Sequence, residues 1–312
     1  MSSLIARSLP AAALFVAASA AADPAPHAEA LGWRLGVQAF CYYRTTFFDM
    51  IDHLETIGIR YVEAYPGHKL GGAWPDTLFN ENMPPEARAA VKKRLADAHI
   101  TLVNFGVTNL PNDEVQCRKV FDFAKDMGIE TIVSEPPVDA FPLIDRLCAE
   151  YKIDVAIHNH PEPSPYWYPE HELTAFEGRS NRIGSCIDTS HWMRSGVNVE
   201  EWLKKLEGRI KCFHFGDVNP EKLAEFNEAK KKLIAEGNPP TMVQHITQIP
   251  NAVYGQGAGD MMAWLREIKR QKIHALFCVE AFFERSPDEA TTLIAECAKY
   301  FDNAAKELSE VE

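Results

Sequence analysis

The sequence predicts a single-domain (β/α)₈ barrel, the TIM-barrel fold of the α/β class. Three observations predict it. Short apolar runs alternate with helical patterns from Leu31 onward. The runs are continuously hydrophobic, as in parallel strands that are covered by helices. Eight such units occupy about 280 residues, which is a usual length for this barrel.

The predicted strands are short runs rich in β-branched and aromatic residues, at 35–40, 59–65, 100–107, 129–135, 153–159, 182–188, 209–215 and 274–281. Helical patterns separate them, at 47–58, 84–99, 113–128, 141–151, 198–208, 261–271 and 288–308. The alternative is an open doubly wound sheet. It is disfavoured because no Gly-x-Gly-x-x-Gly turn follows the first run.

A long segment at about 218–259 interrupts the pattern after the seventh strand. It contains a charged helical stretch, EKLAEFNEAKKKLIAEG, and a polar loop that ends in YGQGAGD. In a barrel this insertion would lie over the catalytic face. We expect it to act as a lid or as a packing surface for a partner, and we expect its lysine run to be a solvated helix face.

The N-terminal region has a composition of its own. Residues 1–22 combine Arg7 with a short apolar stretch and small residues, which predicts a cleaved signal peptide; an uncleaved anchor is the alternative. We expect a linker at 23–31, the barrel at 32–312, and export to the periplasm. No membrane contact is expected after cleavage.

Charge and cysteine content exclude some functions. A formal net charge of −12 argues against nucleic acid as a partner, because phosphate binding needs a basic surface. Seven cysteines occur without a Cys-x-x-Cys pair. Cys186, Cys212 and Cys278 lie in apolar runs and are interpreted as core residues, so no cysteine zinc site or required disulfide framework is predicted.

Residues that can bind metal stand at the carboxyl ends of most predicted strands. These ends share one mouth of a barrel, where active sites form. Carboxylates gathered there would repel each other unless a cation were bound. The sequence therefore predicts a divalent metal site. The residues at these ends are Glu63, Glu135, His158, His160, Asp188, His191, His214, Asp217, Glu280 and Glu284.

The motifs CIDTSHW, CFHFGDVN and FCVEAFFE, with YVEAYPG and YGQGAGD, resemble the xylose isomerase-like barrels of the sugar phosphate isomerase/epimerase superfamily. The resemblance covers nearly the whole chain after the N-terminal region. It implies that Asp188, His214 and Glu280 bind metal. It also implies that His191 contacts substrate or metal, and that Glu63 contacts substrate.

The fifth strand departs from the family pattern. Tagatose- and psicose-type epimerases carry a glutamate there that binds metal and moves a proton, whereas this chain has His158. Glu135 is the candidate for the missing carboxylate. The predicted ligands are therefore Glu135, His158, Asp188, His214 and Glu280. The expected ion is Mn²⁺, with Mg²⁺, Co²⁺ or Zn²⁺ as alternatives.

The expected chemistry is removal of a proton next to a carbonyl of an unphosphorylated sugar, with the cation as Lewis acid. The resemblance, with IHNHP and PSPYWYP, also implies an exported branch that acts on keto-sugars or keto-glycosides. The acid and base candidates are His160, His191, Glu280 and Glu63. The predicted substrate contacts are Phe40, Tyr65, Trp167, Trp192 and Lys69, and Arg194 is a second candidate for a charged group.

Several alternatives remain at this point. Elimination of the aglycone from a 3-keto-glycoside would make the protein a lyase. A sugar-binding protein without catalysis would need the aromatic platform but not the converging carboxylates. Phosphodiester hydrolysis, as in endonuclease IV, is disfavoured by the acidic charge. The expected partner is a small sugar, and the resemblance leaves a homodimer open.

Overall fold

A closed barrel of eight parallel strands forms the fold, as seen in a computed structural model that describes residues 22–237 and 249–310. The strands are β1 Trp33–Gln38, β2 Tyr61–Ala64, β3 Lys69–Gly71, β4 Trp74–Leu78, β5 Thr101–Thr108, β6 Thr131–Ser134, β7 Asp154–His158, β8 Ile183–Asp188, β9 Ile210–Phe215, β10 Asp217–Val218, β11 Asn251–Ala252 and β12 Ala275–Val279. Around the barrel their order is β1-β12-β9-β8-β7-β6-β5-β2. The predicted (β/α)₈ barrel is confirmed, and each of the eight predicted runs overlaps one barrel strand.

Helices surround the barrel. They are α1 Pro26–Ala30, α2 Phe47–Thr56, α3 Pro85–Asp97, α4 Glu114–Met127, α5 Phe141–Tyr151, α6 Glu170–Phe176, α7 Thr189–Ser195, α8 Val199–Lys205, α9 Pro220–Ala235, α10 Met261–Arg270 and α11 Pro287–Glu310. Local sequence explains their ends. Thr46 and Asp49 form a capping box at the start of α2, and Gly128 ends α4 in the left-handed conformation.

The insertion after the seventh barrel strand forms its own small unit on the mouth. Its predicted charged helix is α9, and its two ends are joined by the antiparallel pair β10 and β11, which the sequence did not predict. Residues 238–248 lie outside the described part of the chain. A second unpredicted hairpin, β3 with β4, follows β2.

Strand alternation determines what faces the barrel interior. Cys186, Cys212 and Cys278 form a small buried cluster with apolar residues from neighbouring strands. They are 0–1% exposed, so their prediction as core residues is confirmed. Because side chains two apart on a strand share a face, the residues two positions further along also point toward the barrel axis. Those residues stand at the mouth.

The segment at 23–31 differs from the predicted linker. It contains α1, whose Ala28 is fully buried, and His27 bonds Asp302 of α11 through both its backbone and its ring. The helix α1 packs against α11 and β1. The predicted signal peptide lies outside the described residues except for Ala22. Within those residues, the helices lack the length and apolar character needed to cross a bilayer.

Candidate metal centre

Four side chains from four neighbouring strands converge at the mouth of the barrel. Each offers one ligand atom, and these atoms all lie within 4.8 Å of one another. The four residues are His158, Asp188, His214 and Glu280. We call them the ligand cluster. It contains four of the five predicted ligands, and their side chains are almost completely buried.

Barrel topology explains the convergence. Strands β7, β8, β9 and β12 are consecutive around the barrel, although β12 is far from the others in sequence. The register pairs Asp188 with His214, and it pairs His214 with Cys278, two residues before Glu280. Neighbouring strands are about 4.8 Å apart, so side chains at this level meet across the strand ends.

Each cluster histidine turns one ring nitrogen toward a carboxylate outside the cluster. His214 Nε2 lies 2.7 Å from Glu63 Oε1, and His158 Nδ1 lies 3.3 Å from Glu135 Oε1. The other nitrogens, His214 Nδ1 and His158 Nε2, face the cluster. Carboxylates in this position orient histidine ligands in metal sites.

The atoms that face the cluster lack partners. Within the described residues, His158 Nε2, His214 Nδ1 and Glu280 Oε2 are buried and make no hydrogen bond. His214 Nδ1 and Glu280 Oε2 are 2.5 Å apart without hydrogen-bond geometry. Buried polar atoms are normally paired, so these three fit a bound divalent cation.

The two carboxylate oxygens of Asp188 have different contacts, one with a helix N-terminus and one with the ligand cluster. Its Oδ1 accepts from the backbone N–H of His191 at 2.7 Å and so caps α7. Its Oδ2 remains toward the cluster, 3.8 Å from His158 Nε2. Asn159, which the sequence analysis missed, bonds both backbone groups of Asp188 at 2.8 and 3.0 Å.

Glu63 is fully buried and held by amides on neighbouring strands. Asn104 Nδ2 donates to Glu63 Oε2 at 3.1 Å, and Gln38 Nε2 lies 3.5 Å from Oε1. The register places Gln38 and Asn104 on either side of Glu63. Sequence analysis missed both amides, although each is a polar residue inside an apolar run.

Burial and charge set the ionic forms in the cluster. Burial lowers the pKa of His158 to about 4, so its imidazole is neutral. Burial favours the neutral form of Glu280, but the neighbouring His214 outweighs it and holds the pKa of Glu280 well below its usual range. Burial raises the pKa of Asp188 to about 7. Burial would lower the pKa of His214, but Glu280 and Glu63 outweigh it and raise that pKa well above its usual value. Because a neutral imidazole and a carboxylate are the forms that bind cations, a cation bound here would displace the proton of His214.

Glu135 and His160 form a pair beside the cluster. His160 Nδ1 contacts Glu135 Oε1, and Ser164 Oγ donates to Glu135 Oε2 at 2.7 Å. Burial would lower the pKa of His160, but the glutamate outweighs it and raises that pKa. With His158 the pair forms a second group of potential ligands. The His160 side chain is half-exposed at the mouth.

His191 lies next to this pair, with its ring centroid 5.4 Å from that of His160. Its Nε2 is 3.5 Å from Asp188 Oδ2, and its Nδ1 is 3.5 Å from Arg194 Nη1. A guanidinium only donates, so we assign the ring proton to Nε2. Burial holds the pKa of His191 well below its usual value, so the ring is neutral.

A cavity of about 840 Å³ opens beside His191. Aromatic rings from loops and from α9 line it, and one of them is Trp167, a predicted substrate contact. The aromatic lining residues are Tyr43, Trp167, Phe226 and Phe283. This volume is near the upper end for small-molecule sites.

The other predicted substrate contacts occupy different places. Phe40 is 40% exposed and contacts Tyr65 edge-on, with ring centroids 5.2 Å apart, beside the cavity residue Tyr43. Trp192 is fully buried in the hydrophobic core and does not line the cavity. Lys69 is exposed on β3 and is also outside the cavity lining.

The sequence analysis named Asp217 as a residue that can bind metal, but its carboxylate accepts hydrogen bonds from a loop instead. Its Oδ2 accepts from the backbone N–H of Gly257 at 3.0 Å, and its Oδ1 from that of Gly259 at 2.9 Å. A Cβ on Gly257 would lie 2.1 Å from Asp217 Oδ1. Gly257 is therefore required by close approach to this carboxylate.

A family model described as the xylose isomerase-like TIM barrel matches residues 51–303. The chain belongs to this family. No curated protein matches it. Among solved structures, this xylose isomerase-like barrel is similar to an uncharacterised protein from Parabacteroides distasonis, with 26% identity, a TM-score of 0.63, and coverage of 85% of this chain and 98% of that one.

Two more distant structures share the fold. An L-ribulose 3-epimerase is 13% identical, with a TM-score of 0.60 and coverage of 89% of this chain and 96% of that one. The IOLI protein, which was crystallised with a zinc atom, is 16% identical, with a TM-score of 0.58 and coverage of 88% and 96%. At these identities the likeness shows the barrel alone.

Proposed function

We propose that this xylose isomerase-like barrel is a divalent-metal-dependent sugar isomerase or epimerase. It would move a proton on the carbon next to the carbonyl of an unphosphorylated sugar. The ligand cluster carries this proposal, because both of its histidines are oriented by outer carboxylates and their inner nitrogens lack partners. The L-ribulose 3-epimerase among the related structures supports the reaction class.

His158, Asp188, His214 and Glu280 would hold the ion. Two imidazoles and two carboxylates suit Mn²⁺, whereas Mg²⁺ favours oxygen and water ligands and structural Zn²⁺ favours thiolates and imidazoles. When bound, the cation supplies Lewis-acid polarisation of the sugar carbonyl. Glu135, a predicted ligand, is proposed instead to orient His158 and His160.

Proton transfer is assigned to His160 and His191, the two neighbouring histidines beside the cluster. The neutral ring of His191 can accept a proton, and the carboxylate-paired His160 can donate one. Returning the proton to the former carbonyl carbon isomerises the sugar, whereas returning one to the opposite face of the same carbon inverts that carbon. Glu280 and Glu63 were also candidates for this role. Their contacts favour ligand binding for Glu280 and orientation of His214 for Glu63.

The cavity favours a second reaction of the same site. Its volume of about 840 Å³ and its four aromatic walls leave room for a group attached to the sugar. In a 3-keto-glycoside, loss of the same proton would be followed by breakage of the carbon–oxygen bond to the aglycone. The aglycone would leave as an alcohol after accepting a proton from His160.

The test is incubation of the Mn²⁺-loaded protein with keto-sugars and 3-keto-glycosides in heavy water, followed by NMR. Deuterium on the carbon next to the carbonyl is expected, and release of aglycone would identify the lyase. Asp188→Asn is the inactive control. If no sugar of the panel shows exchange or release, and the protein binds sugar equally well after chelation, the result would indicate a binding protein.

We also propose that the chain is exported and loses residues 1–22. Mass spectrometry of the mature protein from the periplasmic fraction should find an N-terminus near residue 23. A full-length chain in the cytoplasmic fraction would contradict this. The homodimer remains a prediction, and light scattering on the purified protein tests it.

A further inference from the structure

One face of the insertion helix α9 lines the cavity. Lys222, Phe226 and Lys230 recur every four residues, so they share a face, and all three are cavity-lining residues. The lysine run around Lys230 was expected to be solvated. Lys230 is instead half-buried, whereas Lys231 and Lys232 are exposed.

The cavity wall has the opposite charge to the whole chain. Four cationic side chains line it, against the two carboxylates of Glu162 and Glu284. The cations are Arg44, Arg194, Lys222 and Lys230. An excess of two positive charges in a chain of net charge −12 forms a local field that attracts anions.

Three of the four cations have no carboxylate partner in the described part of the chain. Arg194 contacts neutral groups, the carbonyl of Ile249 at 3.0 Å and Asn251 Oδ1 at 3.3 Å, besides His191. Arg44 donates to Tyr43 Oη at 2.8 Å and to the Glu284 backbone carbonyl at 3.2 Å.

No ion pair involves Lys230 within residues 22–237 and 249–310, whereas Lys222 is paired with Glu225 at 2.8 Å. A partly buried arginine without an acidic partner is suited to a carboxylate, which its planar fork can bind through two hydrogen bonds.

We propose that the substrate carries a carboxylate, as in a uronic acid unit, and that Arg194 and Lys230 of the cavity wall bind it. This inference rests on the proposed function for the sugar itself. The anionic group of the substrate is inferred from the positive charge of the cavity wall. Arg194 lies beside His191, so a carboxylate there would place the sugar ring next to the ligand cluster.

A phosphate is disfavoured as the anion. Among the residues that the structure describes, no glycine lines the cavity. The Lys222 amide at the start of α9 already donates to Asn219 Oδ1 at 2.9 Å. Phosphate sites commonly use free backbone amides at a helix start.

The test measures binding by calorimetry to the full-length mature protein with Mn²⁺ at low salt. The probes are the methyl glycosides of glucuronate and galacturonate, their neutral counterparts methyl glucoside and methyl galactoside, and glucose 6-phosphate. At least one uronide should bind at least 10-fold more tightly than its neutral counterpart. The preference should shrink at high salt, because salt screens the attraction.

Arg194→Gln and the double variant Lys222→Gln/Lys230→Gln should each reduce this preference to about twofold or less. The double variant changes a helix surface, so it remains informative if Arg194→Gln fails to fold. The matched control is Lys231→Gln/Lys232→Gln, on the exposed face of the same helix, which should keep the full preference.

Failure of this inference differs from failure of the proposed function. Deuterium exchange on neutral sugars without a uronide preference would overturn the carboxylate site and leave the isomerase. A uronide preference without deuterium exchange would overturn the isomerase and leave the carboxylate site. Uronides that fail to bind, a preference that survives both sets of variants, or tighter binding of glucose 6-phosphate would each overturn the carboxylate assignment.

Discussion

Two carboxylates outside the ligand cluster decide which histidine nitrogens face it. Glu63 contacts Nε2 of His214, whereas Glu135 contacts Nδ1 of His158, so the two histidines present different nitrogens to the cluster. Each glutamate also raises the basicity of the nitrogen on the far side of the ring. Metal affinity should therefore depend on residues that are not ligands.

Glu63→Gln tests this role. The amide has the size of the carboxylate but lacks its charge, so metal affinity should fall about 10- to 100-fold. Competition with a fluorescent chelator measures the dissociation constant, and circular dichroism checks the fold. Glu200→Gln, on the exposed surface of α8, is the control and should leave metal affinity unchanged. Unchanged affinity in Glu63→Gln would contradict the orienting role.

A different glutamate is buried without serving the cluster. Glu172, on α6, is fully buried, and neither oxygen has a hydrogen-bond partner among the described residues. Burial raises the pKa of Glu172 to about 8 from its ordinary 4.5. As pH rises from about 4.5 to about 8, the unfolded chain releases a proton that the folded chain keeps, so stability falls.

Glu172→Gln should remove this pH dependence. Its free energy of unfolding should exceed that of the natural chain by a few kcal/mol at pH 8, since each pH unit of the window contributes about 1.4 kcal/mol. Near pH 5 the advantage should vanish. Urea unfolding at both pH values gives the comparison, with exposed Glu170→Gln as control. An equal difference at both pH values would refute this account.

At the scale of elements, one buried carboxylate helps to hold the insertion in place. Asp217 accepts backbone hydrogen bonds from Gly257 and Gly259, and the β10–β11 pair closes the base of the insertion. The strand residue Asn251 is part of the cavity wall. The geometry of the cavity should therefore depend on this loop.

Gly257→Ala should loosen the loop, because the added methyl group would overlap Asp217. Amide hydrogen exchange at residues 249–260 should accelerate, and KM for the accepted substrate should rise more than kcat falls. Ala258→Ser is the matched control, since Ala258 is exposed in the same loop. Unaltered exchange in Gly257→Ala would show that the loop does not need this close contact.

At the scale of the molecule, the candidate metal centre joins four strands that the barrel brings side by side. The ligands come from the ends of β7, β8, β9 and β12, and His158 and Glu280 are 4.0 Å apart at their nearest ligand atoms. An ion bound there would link the strand ends. Because it would bind the folded chain in preference to the unfolded one, it should stabilise the whole barrel.

Metal binding should therefore raise the melting temperature. With free Mn²⁺ at about 100 times its dissociation constant, the expected gain is about 2.7 kcal/mol, or roughly 5 °C for a chain of this size. Calorimetric scans with Mn²⁺ and with a chelator measure the shift. Asp188→Ala and His214→Ala should stay folded and show no shift. A full shift in either variant would place the ion elsewhere.

Much of this architecture was predictable because it depends on local patterns. Apolar runs and helical periods located all eight barrel strands, and strand ends at a common mouth located the ligand cluster. The hairpins β3–β4 and β10–β11 were missed because strands of two to five residues carry too little pattern. Trp192 was expected at the sugar, but it is buried in the core, and adjacency to a motif does not determine which way a side chain points.

The sequence by itself determined the barrel and the residues at its mouth, because strand periodicity places every second side chain on the same face. Only the tertiary structure decided what those residues contact. Glu63 and His214 are 151 positions apart and meet only when the barrel closes. Packing of the insertion turns Lys230 toward the cavity and joins Asp217 to a glycine loop, since partners distant in sequence are chosen by packing.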